Sequence, residues 1–138
     1  MNGGLVVIIL VLLILLVVFA PMITQYTKLA GGLNKDQVKR HWQKLEGYIR
    51  QGEAGANHAV VQADKLLDYS LRKKGYKGET MSERLKHAES VFSSANDVWA
   101  AHKLRNKLVH EQGYKAGIVQ ARKALSQYRR GLKDLGAL

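Results

Sequence analysis

The first hydrophobic feature of the chain is a block with no periodicity. Leu5 to Ala20 reads LVVIILVLLILLVVFA without interruption, and Met22 and Ile23 extend it past Pro21. An α-helix over 5–23 rises roughly 28 Å at about 1.5 Å per residue, close to the ~30 Å hydrocarbon core of a bilayer. Leu, Ile, Val and Phe each contribute about −0.3 to −0.6 kcal/mol to insertion at a helix centre. No charged residue in the block opposes them. The block therefore predicts a transmembrane helix. A cleaved signal peptide fits less well, because Asn2-Gly3-Gly4 offers no basic n-region and Val18-Phe19-Ala20 runs into a proline.

Past the block the pattern changes twice. Residues 24–34 (TQYTKLAGGLN) read as a connector, with Tyr26 suited to a membrane interface and Gly31-Gly32 as a flexible break. Beyond it, apolar residues recur at helical spacing. Val38, Trp42, Leu45 and Ile49 predict a helix near 35–51. Val60, Ala63, Leu67 and Leu71, with Leu66 beside them, predict a second near 54–74, closed by Gly75. Thr80-Met81-Ser82-Glu83 matches a capping box and opens a short third helix through Met81, Leu85, Ala88 and Phe92. A fourth, near 96–112, carries Val98, Trp99, Ala101, Leu104, Leu108 and Val109. A fifth after Gly113 carries Ile118, Ala121, Leu125, Tyr128, Leu132 and Leu135. Neither a period-two alternation nor an Asn-Gly turn suggests strands. The expected fold is all-α: an N-terminal transmembrane helix (1–23), a linker (24–34) and a four- to five-helix bundle (35–138). A chain of 138 residues has room for one core.

Charge adds an orientation. Residues 1–27 carry no charged side chain, so all 22 Lys and Arg, all 11 Asp and Glu and the net charge of +11 belong to residues 28–138. Lys28, Lys35, Lys39, Arg40 and Lys44 follow the block, against the single acid Asp36. The positive-inside rule places the N-terminus outside the cell membrane and the helical domain in the cytoplasm. Those cations also suit anionic headgroups, each worth about 1 kcal/mol close to the surface, so the bilayer is the first expected partner. Arg72, Lys73, Lys74 and Lys77 gather at the second helix end, where cations complement the helix dipole. Arg122, Lys123, Arg129, Arg130 and Lys133 crowd the last helix. Such runs read first as solvated faces and otherwise as contacts to RNA, ribosomes or lipid headgroups. Cysteine is absent, which excludes disulfides, thiolate metal sites and cysteine nucleophiles. The five His and the carboxylates show no short repeated ligand spacing, so neither a metal nor a small-molecule cofactor is expected.

Candidate chemistry concentrates in Trp99-Ala-Ala-His102-Lys-Leu-Arg105-Asn106-Lys-Leu-Val-His110-Glu111. At about 100° per residue, His102, Asn106 and Val109 share a helix face, with Arg105 roughly 60° to one side and His110 roughly 80° to the other. Arg105 and His110 meet only if the helix breaks or if two chains pair about a two-fold axis.

This stretch resembles the HEPN superfamily, whose hallmark is Arg followed four to six residues later by His, often with a polar residue directly after the Arg. Arg105-Asn106-Lys107-Leu108-Val109-His110 has that pattern. The preceding Ala63-Asp64-Lys65-Leu66-Leu67 helix and Gly75-Tyr76-Lys77-Gly78 loop look similar too, so the likeness covers roughly 36–135. It implies a helical bundle that commonly forms homodimers or higher homo-oligomers and, in active members, metal-independent RNA cleavage. His110 would then act on a ribose 2′-hydroxyl, Arg105 would stabilise phosphate charge and Asn106 would orient the pair. Many members instead serve as binding modules.

The residues alone also support a structural reading. In it Arg105 pairs with Asp64 or Asp97, His102 and His110 are hydrogen-bonded, Asn106 bridges helices, and Trp42 and Trp99 anchor the core. The leading functional expectation is a membrane-anchored interaction and self-association module. The alternatives are a ribonuclease using Arg105 and His110, and a salt-sensitive RNA or ribosome tether.

Overall fold

The computed structural model describes the backbone of residues 2–29 and 32–138, and the side chains of 2–21 and 32–138. The chain separates into two compact units, Met1–Gly31 and Gly32–Leu138.

The first unit is helix α1, Gly3–Leu29. Its Leu, Ile, Val and Phe side chains from Leu5 to Phe19 are exposed around the helix, apart from half-buried Val6. A helix that is apolar on every side has no water-facing stripe. Residues Gly3–Pro21, with mean hydropathy 3.4, make it long and apolar enough to cross a bilayer. Pro21 lies inside the helix without ending it. The expected connector is therefore shorter than 24–34, because 24–29 continue the helix and no glycine lies between Pro21 and Gly31. The side chains of Tyr26 and Lys28, and Gly31 of the expected Gly-Gly break, lie outside the described residues.

The second unit contains α2 (Lys35–Ile49), α3 (Glu53–Lys73), α4 (Met81–His87), a 3-10 turn (Glu89–Val91), α5 (Ala95–His110) and α6 (Ile118–Asp134). Among the described residues there is no strand. Helix α3 is central: α2, α4, α5 and α6 all pack on it, and α6 also packs on α5. The predicted stripes supply the core. Val38, Trp42 and Leu45 bury one face of α2, and Leu67, Leu71, Leu85, Tyr128 and Leu132 are the bulkiest interior side chains of the other helices.

Local chemistry sets the helix ends. The Asn34 side chain accepts the Gln37 N–H at 3.0 Å and starts α2. The predicted capping box is present: Thr80 Oγ1 accepts the Glu83 N–H, and Glu83 Oε2 accepts the Thr80 N–H. The third helix ends earlier than the apolar spacing suggests, and Phe92 leaves it in an extended conformation. The reason lies one residue on. Both the N–H and the hydroxyl of Ser93 donate to Asp134 Oδ2, at 2.8 and 2.7 Å, which draws the chain out towards α6. Between α2 and α3 the backbone comes so close that a Cβ on Gly55 would strike the Tyr48 carbonyl oxygen. Only glycine fits there.

Candidate functional site

The polar residues of α5 converge on a carboxylate of α3. Asp64, buried at 2% exposure, accepts hydrogen bonds at Oδ1 from His102 Nδ1 (2.7 Å) and from the Tyr128 hydroxyl (2.8 Å). Arg105 Nε lies 3.2 Å from Asp64 Oδ2. That contact is in ion-pairing range but off the direction of a hydrogen bond, so it is Coulombic, and Nε has no hydrogen-bond partner among the described residues. Arg105 Nη1 instead donates to Asn106 Oδ1 at 2.9 Å. The Asn106 amide nitrogen faces His102 Nε2 at 3.3 Å, and the Ser82 hydroxyl of α4 faces the same nitrogen at 3.1 Å. An amide NH2 only donates, so Nε2 is the acceptor and the ring proton sits on Nδ1, aimed at Asp64.

Helical periodicity explains the convergence. His102, Arg105 and Asn106 stand at i, i+3 and i+4 on α5, a spacing that places all three on one side. Val98, Ala101 and Leu104 bury the adjoining side and turn it towards α3 and α6. Tyr128 comes from the apolar stripe of α6, and Ser82 from the first turn of α4. Burial pushes the Tyr128 phenol well above its ordinary 10.0, and the charge of Asp64 adds to the shift. It therefore stays protonated and keeps donating.

This cluster sets a pH limit on the fold. Because the folded phenol pKa is raised, the stabilisation is fully present below the ordinary value of 10.0 and is lost as pH rises through the folded value. Alkaline unfolding followed by circular dichroism should accordingly begin above pH 10 and shift in Tyr128→Phe. Identical alkaline profiles for the two proteins would mean that the phenol is not coupled to folding.

The order carboxylate, imidazole, hydroxyl is that of a nucleophilic triad. Here, though, the imidazole is 4% exposed, and two donors aim at its single Nε2 lone pair. Apart from Arg105 Nε, these groups bond to one another, and they tie α3, α4, α5 and α6 together. A second buried ion pair acts alongside. Asp68 accepts from Arg84 Nε and Arg72 Nη2, both at 2.6 Å, and Arg84 Nη1 also reaches the Gly78 carbonyl.

Of the motif residues, Arg105 and Asn106 belong to this cluster and His110 does not. His110 ends α5, is exposed, and makes no side-chain hydrogen bond to a described residue. The loop that follows it is held by Asn57, whose side chain bonds both the Ala116 carbonyl (2.8 Å) and the Ala116 N–H (3.1 Å). Of the two acids weighed for Arg105, Asp64 is the partner. Asp97 instead binds Gln127 (3.0 Å) and Arg130 (2.9 Å). Its carboxyl is held below its ordinary value, first by the Gln127 amide, then by Ser94, with the Arg130 charge adding. Trp42 is buried, with its indole N–H on Glu46, whereas Trp99 is half-buried with its N–H on Glu89. Lys35, Lys39, Arg40 and Lys44 are all exposed along α2. Tyr128 and Ser82 were not among the expected polar residues. The apolar period hid the first, and the capping box absorbed the second.

Comparison with protein-family models, curated proteins and solved structures finds no match for this chain.

Proposed function

We propose that the protein is a single-pass membrane-anchored helical module, HEPN-like in its Arg105-Asn106 helix. In this reading α1 spans the cell membrane with its N-terminus outside. The 32–138 unit works in the cytoplasm by interaction and self-association. One observation carries the reading: Arg105 and Asn106 are engaged with Asp64 and His102, while His110 points elsewhere, exposed at the end of α5. Within one chain Arg105 and Asn106 are already engaged, so a nuclease would have to bring the His110 of a second chain to the same phosphate. The orientation is supported by the cations that follow α1, and self-association by the likeness of the Arg105-Asn106 helix to HEPN modules.

The test uses the full chain in detergent or nanodiscs. Sedimentation should show a defined dimer or higher oligomer, and incubation with single-stranded RNA should give no cleavage by the wild type or by His110→Ala. Wild-type cleavage that disappears in His110→Ala would replace this reading with metal-independent RNA hydrolysis. A chain that stays monomeric at high concentration would remove self-association.

A further inference from the structure

The α2–α3 junction carries a groove of about 420 Å³ that the polar cluster around Asp64 does not use. Its floor is apolar, formed by the buried Leu45 and Leu66. Tyr48 and Tyr69 wall it, both half-buried, and His41, Lys44 and Lys65 stand exposed along it. No Asp or Glu is among its lining residues. Two further contacts fix the tyrosine wall. The Tyr69 hydroxyl is 3.3 Å from Gln37 Oε1, and Lys73 Nζ lies 5.9 Å from the Tyr69 ring centroid, bringing a further cation to this edge.

From this arrangement we infer that the α2–α3 groove is a binding site for the headgroup of an anionic phospholipid. Ammonium groups on the rim suit a phosphate, the Tyr48 phenol and the His41 imidazole offer further donors, and the leucine floor suits the first carbons of the glycerol and acyl chains. A bare anion would gain nothing from that floor. The choice of a lipid rests on the reading that α1 spans a membrane. Only residues 30–34 separate α1 from α2, so a chain inserted through α1 holds the groove at a high effective concentration of headgroups. Lysines near an anionic surface gain in the way the rim requires.

The experiment takes the full chain reconstituted in vesicles of phosphatidylcholine alone or mixed with phosphatidylglycerol. Lysine acetylation is mapped by mass spectrometry. Lys44 and Lys65 should lose reactivity several-fold only in the anionic vesicles, while Lys123 and Lys133 of α6 stay unchanged. In native mass spectrometry the wild type should retain a phosphatidylglycerol that the Lys44→Glu/Lys65→Glu variant releases. Both lysines are exposed, so the variant should keep its fold. Equal protection of the α6 lysines would reduce the effect to diffuse attraction and overturn the site. Protection by inorganic phosphate or single-stranded RNA, without a gain from anionic lipid, would overturn the lipid assignment. A chain that inserts yet leaves Lys44 and Lys65 fully reactive removes the groove proposal alone. A chain that enters neither vesicle removes the membrane reading as well.

Discussion

Asp64→Ala should cost about 3–5 kcal/mol of unfolding free energy, the usual loss when one partner of a buried ionic cluster is removed. The carboxylate receives His102, Tyr128 and Arg105 at once, and no water-exposed route replaces it. With alanine in its place, a phenol, an imidazole N–H and a guanidinium are left facing an apolar gap. Asp64→Asn keeps an acceptor oxygen but not the charge, and should lose less. Urea unfolding of the full chain in detergent measures all three proteins. Asp97→Ala is the natural comparator, because its Arg130 pair is exposed and such pairs contribute little. If Asp64→Ala shifts the midpoint no further than Asp97→Ala does, the cluster is not what holds the four helices.

Leu67→Ala is the apolar counterpart, with an expected loss of about 2–5 kcal/mol from transfer and cavity terms together. Leu67 is fully buried on α3, the helix on which α2, α4, α5 and α6 pack. The surrounding helices therefore have little freedom to collapse into the space. Val119→Ala removes a similar apolar side chain from a position 78% exposed, and its effect should stay within about 0.5 kcal/mol. Similar midpoints for the two variants would show that the interior is loosely packed.

The helices were legible because their cause is local. A stripe such as Val38, Trp42 and Leu45 requires a helix wherever one side must be buried, and the Thr80 and Glu83 side chains act within four residues of each other. Even the inward turn of Arg105 was partly readable, since Asp64 was one of two acids within reach of a neighbouring helix. Other features depend on distant residues. Tyr128 reads as an ordinary apolar stripe member until α6 is laid against α3, 64 residues from Asp64. The early end of the third helix depends on Asp134, 41 residues from Ser93. The continuation of α1 to Leu29 was missed because the polar run Thr24-Gln25-Tyr26-Thr27, ahead of Gly31-Gly32, looks like a connector. Proline blocks only its own donor and crowds the preceding turn, and residues 22–29 contain no further breaker.

The reach of Asp64 across the chain also sets an order of assembly. His102 lies 38 residues beyond it and Tyr128 64 beyond it, so the longest loop to close is the one that brings in α6. During synthesis α3 and α5 emerge before their covering helix. Until α6 docks, the carboxylate is short of its phenol, and the flank of α3 that α6 covers stays open to water. A chain stalled before Tyr128 thus displays a carboxylate short of one donor and, above all, a bare apolar surface. Those are the features that chaperones and proteases recognise, and the last helix acts as the seal that withdraws the protein from their attention.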